Sequence, residues 1–420
     1  MKHNKRVKMN VKKIILSVAC LFIFSLNTYA GEGVKGDKPS PAVTFKIIGS
    51  EPQPDLYKTY RRMLVGPWVH QPEEYQGYNG FVAWPGVTLL KTGRLLLTFS
   101  SGYWHASPPL SEEILIDPEY RKKFDKWHEI GMPFINAPRG GRTHIMHSDD
   151  NGITWSDPKN LIDTELDDRH PTILELDDGT LLCTFFTYQL PGVAQAKYVL
   201  SHDQGQTWSD PMILPGNAAA FGNGSAIQLM DGSIVIAADQ DSPKEGIAIL
   251  RSTDRGESFD LASVVETEHP QYEPTIAQLK NGQLVLITRR KGDIYWSNDG
   301  GKTWTDPVST GVELFDPHLV VMPNGVLACF HGSYSGGGLR VMLSPDNGRT
   351  WHGPAKDIGY SVDPSVYGYS SPVLLPDGTI YLVYIHTGGH RPADARTQAL
   401  WALRIRINEN ADRIEILPAY

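Results

Sequence analysis

Six stretches of the chain break a short apolar run at a single turn glycine: VTLLKTGRLLLTF, TILELDDGTLLCTFF, AIQLMDGSIVIA, TIAQLKNGQLVLIT, LVVMPNGVLACF and PVLLPDGTIYLVY. The glycines are Gly93, Gly179, Gly232, Gly282, Gly325 and Gly378. Each stretch predicts two short strands joined at an Asp-Gly, Asn-Gly or similar turn. A second pattern, Ser-x-Asp-x-Gly-x-Thr/Ser-Trp/Phe, runs out of phase with the first. It begins at Ser148, Ser201, Ser252, Ser297 and Ser344, at intervals of 53, 51, 45 and 47 residues. Self-similarity at such a period marks a repeat architecture. Each box predicts a turn between two further strands: Asp accepts bonds from the turn backbone, Gly supplies the unusual φ, and the aromatic packs beside it. One carboxylate per turn is too few for calcium. Six hairpins, each followed by another strand pair, predict six four-stranded antiparallel sheets in a six-bladed β-propeller. The blade at Gly378 lacks a box. Its outer strands are expected in QALWALRIRI and RIEILP, and VTFKIIG near the N-terminus is expected to close the ring.

If the glycine turns join the two inner strands of a blade and the boxes join the two outer ones, both sets of turns share one face. Functional residues then belong on the other face, at the starts of first strands and the ends of second strands. Those positions carry Asp168, Arg169 and His170, then Tyr272 and Glu273, Asp316, His318, Tyr367 and Tyr369. Tyr103, His105, Tyr188, Arg289, His331 and His386 end second strands. Polar strand ends crowded around a narrow axis predict a pocket. From Gly93 to Ser148 is 55 residues, against 22, 20, 15 and 19 in the next four blades. The excess, about residues 103–140, is expected on the same face as a lid or specificity wall.

Composition adds the setting. Lys2, Lys5, Arg6, Lys8, Lys12 and Lys13 precede an apolar run from Ile14 to about Leu26, and Thr28-Tyr29-Ala30 follows. This predicts a secretory signal peptide over residues 1–30, and hence a secreted or periplasmic protein. The run is too short to span a bilayer. Residues 31–74 then form an N-terminal segment, and 75–420 the propeller. Six of the 39 Lys and Arg and none of the 47 Asp and Glu fall in residues 1–30. The remaining 33 basic and 47 acidic residues balance at −14, which disfavours nucleic acid and anionic membrane as partners. Ser17 stands where a lipoprotein signal places an aliphatic residue, which argues against a lipid on Cys20. Cys183 and Cys329, alone after cleavage, predict neither a disulfide framework nor a zinc site. They fall on equivalent strands of opposite blades and are expected to be unpaired. No cofactor is expected, and a monomer is.

Five boxes on a six-bladed layout resemble the Asp-box repeats of the sialidase (neuraminidase) superfamily, over roughly residues 75–410. The resemblance implies an exported glycoside hydrolase releasing a terminal acidic sugar, with sialic acid as the default. Sialidases use a Tyr nucleophile activated by a carboxylate. A neutral phenol avoids setting a charged carboxylate against an anionic sugar, and Arg forks hold the substrate carboxylate. Tyr369, in Gly-Tyr-Ser-Ser, resembles the family's nucleophile, and Glu273, in Tyr-Glu-Pro-Thr, the residue that activates it. Arg289, in Ile-Thr-Arg-Arg, resembles the second arginine of the carboxylate triad, and Arg340 stands for the third at a loose offset. Two pieces of the family pattern are missing. Val82-Ala83-Trp84-Pro85 puts Ala83 where the first arginine belongs, with Arg139, Arg142 and Arg61-Arg62 nearby. The expected acid/base Asp is replaced by Ser-Gly-Tyr103-Trp104-His105. Asp168, Arg169, Tyr103, His105, Tyr188 and His331 complete the expected substrate-binding set. Two other functions fit the same frame. One is a lyase or rhamnosidase-like propeller acting at uronate-containing glycans, with chemistry from His105, His170, His318, His331, His386, Tyr103 and Tyr188. The other is a non-catalytic glycan-binding propeller.

Overall fold

Second strands such as Leu95–Gly102 and Ile234–Gln240 bury every residue. That is the pattern of strands covered on both faces, and it arises because each sheet packs face to face against two neighbours. The computed structural model describes residues 43–67, 69–73, 80–102, 116–118, 122, 140–189, 193–240, 245–267, 269–335, 337–354, 359–386 and 398–420. The expected signal peptide, and most of the 103–140 insertion with Tyr103, His105 and Arg139, lie outside these residues.

Six antiparallel sheets of four or more strands stand around one axis. Their inner strands are Phe81–Leu89, Asp167–Glu175, Ala226–Gln228, Tyr272–Gln278, Leu314–Val321 and Ser370–Leu374, in blades one to six. The core is a set of apolar slabs, one between each pair of neighbouring blades. Cys183 and Cys329 are buried and unpaired, on the second strands of blades two and five.

Ring closure differs from the expectation. Thr44–Ile47, within VTFKIIG, pairs in parallel with Thr350–Gly353 on the outer edge of blade five. Thr350–Gly353 makes a single residue pairing with its own sheet, Leu343 with His352. Its other edge would otherwise stand open, and the N-terminal strand covers it. The ring is closed instead by Arg62–Val65, which pairs antiparallel with Leu400–Ile407 of blade six. The C-terminal Ile414–Leu417 pairs with the other half of that strand, so Arg62–Val65 and the last strand share one rim position.

The boxes repeat one hydrogen-bond scheme. At the second box Ser201 Oγ donates to Asp203 Oδ1 at 2.8 Å and accepts from Gly205 N at 2.8 Å. Asp203 then accepts from Thr207 N at 2.9 Å and from Thr207 Oγ1 at 2.5 Å. Ser201 is buried, so Ser201→Ala strands the Gly205 N–H. We expect a loss of about 1–3 kcal/mol, read from denaturant midpoints, with turnover per folded molecule unchanged. Thr207 and its turn hold the Asp203 carboxyl down at about 2, and Asp150 and Asp299 are likewise held at about 2. A depressed carboxyl contributes stability above its unfolded pKa, near 4, which is lost as pH falls through 2. Acid unfolding is therefore expected in that window.

Candidate active site

Four of the six inner strands carry the same irregularity. Trp84, His170, Glu273 and Asp316 each precede a proline and each has φ between 44° and 55°. At each the ladder to the second strand skips, between Ala83 and Gly86, Arg169 and Thr172, Tyr272 and Thr275, and Phe315 and His318. A bulge re-aims side chains, and a left-handed non-glycine residue persists only where its surroundings over-determine it. All four are at the face inferred to be functional. The sequence signal is present, as Trp-Pro, His-Pro, Glu-Pro and Asp-Pro at matching places in four repeats, but sequence reasoning gives a role in the chemistry only to Glu273 and, in the lyase alternative, to His170.

The centre of this face is a triad from two blades. Tyr369, at the start of the inner strand of blade six, donates its hydroxyl to Glu273 Oε1 at 2.6 Å. Arg289, ending the second strand of blade four, donates Nη1 to the same Oε1 at 2.5 Å and to the Tyr369 hydroxyl oxygen at 3.0 Å. Its Nε donates to the Tyr334 hydroxyl at 2.7 Å. Glu273 Oε2 accepts from Asp316 N at 2.8 Å, and Glu273 N donates to Asp239 Oδ1 at 2.9 Å. Tyr367 stacks on Tyr369 at 5.7 Å and 9°, while Phe315 packs 5.5 Å from Tyr369 and 4.7 Å from Tyr367. Those rings fix the phenol's direction.

Electrostatics follow from this burial. Burial raises Tyr369 well above the usual phenol range, with Arg289 pulling down and Glu273 pushing up. The hydroxyl is therefore neutral near pH 7 and needs a base to become a nucleophile. Burial opposes the Arg289 cation, but Glu273 and the surrounding tyrosines outweigh it and keep the guanidinium charged.

The remaining expected residues divide. Arg169 reaches over Trp84, its guanidinium carbon 4.3 Å from the ring centroid and 5.5 Å from that of Phe186. His170 bridges from this group toward the triad, 6.2 Å from Trp84 and 6.3 Å from Tyr369 between ring centroids. Tyr188 is buried, and its hydroxyl has no hydrogen-bond partner among the described residues. Arg340 is elsewhere. It lies on the third strand of blade five, where its Nη1 donates to Glu51 Oε1 at 3.3 Å and Gly359 O at 3.0 Å. The N-terminal segment, invisible to repeat counting, supplies that carboxylate. His331 is fully buried beside the same strand, its Nδ1 on Gly332 O, and burial brings it down to about 4. Asp168 ties a turn, accepting from Thr164 N at 2.7 Å and Thr164 Oγ1 at 3.0 Å, and burial raises it to about 7. His318 lines an axial cavity of about 680 Å³.

Ala83 is fully buried, so no arginine extends from that position. Arg61 pairs with Asp363 at 2.9 Å, Arg62 donates to Ile153 O, and Arg142 pairs with Asp163 at 3.3 Å. No metal-binding group of His, Cys, Asp and Glu occurs among the described residues.

Comparison with known proteins agrees with this architecture. The family model of the BNR repeat-like domain matches residues 167–382, and that of the BNR/Asp-box repeat matches residues 146–157. No curated protein matches the sequence. Among solved structures, a Dyadobacter fermentans protein of unknown function is 19% identical with a TM-score of 0.62, covering 85% of this chain and 99% of its own. The intramolecular trans-sialidase of Ruminococcus gnavus, in complex with oseltamivir carboxylate, is 14% identical with a TM-score of 0.56. It covers 80% of this chain and 96% of its own. Trypanosoma rangeli sialidase with 2,3-difluorosialic acid, described as a covalent intermediate, is 15% identical with a TM-score of 0.53, covering 80% and 56%. At such identities the likeness is one of fold. The family model spans more than half the chain, and with five boxes on six blades the protein belongs to the BNR repeat-like family, as an Asp-box propeller.

Proposed function

We propose that the protein is an exported glycoside hydrolase that releases a terminal sugar acid through a tyrosyl intermediate. The observation that carries this reading is the Tyr369–Glu273–Arg289 triad, with 2.6 Å between phenol and carboxylate. Tyr369 Oη attacks the anomeric carbon as Glu273 Oε1 takes its proton. The glycosidic C–O bond breaks as the aglycone oxygen takes a proton from water, the resulting hydroxide displaces Tyr369 Oη from the anomeric carbon, and Oη recovers its proton from Glu273. Arg289 is 3.0 Å from the attacking oxygen. A carboxylate borne on the anomeric carbon lies within reach of that guanidinium, whereas a uronate carboxylate sits across the ring. The position of Arg289 therefore favours a 2-keto sugar acid.

The test is a panel of aryl sialosides, uronides and rhamnosides, together with a 2,3-difluorinated sugar acid as trap. Phenol release from the sialosides and a sugar adduct on Tyr369 in the digested protein are expected. Absorbance of an unsaturated uronate, with Tyr369 unlabelled, would establish the lyase alternative instead.

A further inference from the structure

Beneath the triad lies a second carboxyl that the reaction above does not use. Asp316 is fully buried and stands at the bulge of blade five. Its Oδ1 accepts from Asn223 N at 3.1 Å. Its Oδ2 accepts from Asn223 Nδ2 at 3.1 Å and from Ser370 N at 3.2 Å. Asn223 Nδ2 also donates to Ser370 O at 3.1 Å. Blades three and six are thus tied to blade five through one carboxyl, and the backbone N–H of the same residue holds Glu273 Oε2 in blade four. Gly222 permits the approach: a Cβ there would stand 2.9 Å from Asp316 Oδ1 and 2.9 Å from Glu273 Cβ.

The charges around Asp316 are unequal. His170 Nε2, from blade two, is 3.9 Å from Oδ1, and burial, then Arg169, bring that imidazole down to about 3, so it is neutral. From blade three Asp239 is engaged with Glu273 N, and from blade six Tyr369 carries a neutral phenol. Among these described neighbours the one cation is Arg289, and its Nη1 is spent on Glu273 Oε1 and Tyr369. Asp316 and Glu273 are thus neighbouring carboxyl residues of which only Glu273 pairs with the guanidinium. Like charges so placed do not both ionise readily.

We propose that Asp316 is a positioning residue for this hydrolytic pair: it fixes Glu273 Oε2 through its backbone N–H, and its carboxyl stays uncharged so that it sets no further negative charge against Glu273 beneath Tyr369. The inference rests on the Tyr369–Glu273 reading for its catalytic consequence and, for its charge state, on complete burial beside Glu273 with no Lys or Arg paired to the carboxyl among the described residues. Burial, then the neighbouring Glu273, push the Asp316 carboxyl up to about 8 against the pull of its three N–H donors. A second anion formed above that pH would repel Glu273 and raise the cost of holding both carboxylates in the floor.

Two readouts test this on the full chain. A carboxyl near 4 when unfolded and near 8 when folded makes the folded state hold a proton that the unfolded state has lost. Stability then falls as pH rises from 4 to 8 and levels off beyond. Asp316→Asn removes that slope, so the difference in Tm between wild type and variant should change across this window. Asn keeps the backbone N–H and a neutral side chain but sets its NH2 against an N–H donor, which displaces the residue and Glu273 with it, so turnover by Asp316→Asn should fall by about tenfold to a hundredfold with KM little changed. The alkaline limb of the wild-type rate profile, near pH 8, should vanish in the variant. Asn223→Ala, which removes one donor, should move that limb upward. Tm curves that run parallel for wild type and Asp316→Asn from pH 4 to 8 would overturn the charge claim. An unmoved rate profile in an active variant would overturn the positioning role. If no substrate is turned over but the Tm slope is lost, the hydrolytic reading fails while the neutral Asp316 stands.

Discussion

Tyr369→Phe is expected to fold as the wild type and to lose turnover by a factor on the order of 10⁴ or more. The substitution removes one oxygen and leaves the ring where Tyr367, Phe315 and His170 hold it. What disappears is the 2.6 Å bond to Glu273 and the acceptor for Arg289 Nη1. The freed Glu273 Oε1 keeps its bond to Arg289, so no charge is left unpaired and the fold has little reason to fail. Glu273→Gln should cost about 10² to 10⁴ by removing the proton acceptor. It also weakens the pairing of Arg289, so a small loss of Tm should accompany it. The double variant should be no slower than the worse single one, because the two groups act as one unit. Full activity of Tyr369→Phe on the natural substrate would remove the tyrosyl mechanism and leave His170 and Tyr188 as the groups to examine.

The ring itself was readable because its signals are local. Each turn glycine lies between two strands of one hairpin, and each box closes on itself within seven residues, as Ser201 to Thr207 does. Repetition then multiplies a weak cue into a strong one. Non-local features left no such trace. Arg62–Val65 and Thr44–Ile47 look alike as short apolar-polar strands, and only the partners available at the rim decide that one closes the ring and the other edges blade five. Arg340 sits at a plausible offset before its box, yet a carboxylate at Glu51, 289 positions earlier, takes it. Tyr369 and Glu273 are 96 positions apart and were reached through family resemblance, since no periodicity joins them. Asp316 shows the middle case. Its Asp-Pro step repeats the His-Pro and Glu-Pro of other blades, and Asn223 and Ser370 start inner strands as it does, but that shared position does not reveal the hydrogen bonds on which its role depends.

Gly222→Ala offers the second large effect, and it acts on geometry without touching a reacting atom. Gly222 is not held at positive φ, so alanine is tolerated by its own backbone. The obstacle is space. The new methyl would stand 2.9 Å from Asp316 Oδ1, 2.9 Å from Glu273 Cβ and 3.2 Å from Glu273 Cα. Real Cβ contacts do not come that close, so the segment or the two carboxyl-bearing residues must move by a few tenths of an ångström. The Asp316 carboxyl is clamped by three N–H donors and Glu273 by Asp239, Asp316, Arg289 and Tyr369, so a displacement on either side is passed on to the Glu273 carboxyl. Its Oε1 then leaves the line to Tyr369. Misplacement on the order of 1 Å costs about a hundredfold in rate, and we expect a loss approaching that size, in kcat and not in KM. Tm should fall modestly, because the crowding is confined to two neighbouring residues. Combined with Asp316→Asn, the loss should be smaller than the product of the single losses, since both substitutions act on the same contact. Wild-type kcat in Gly222→Ala would mean that the triad does not depend on the floor beneath it.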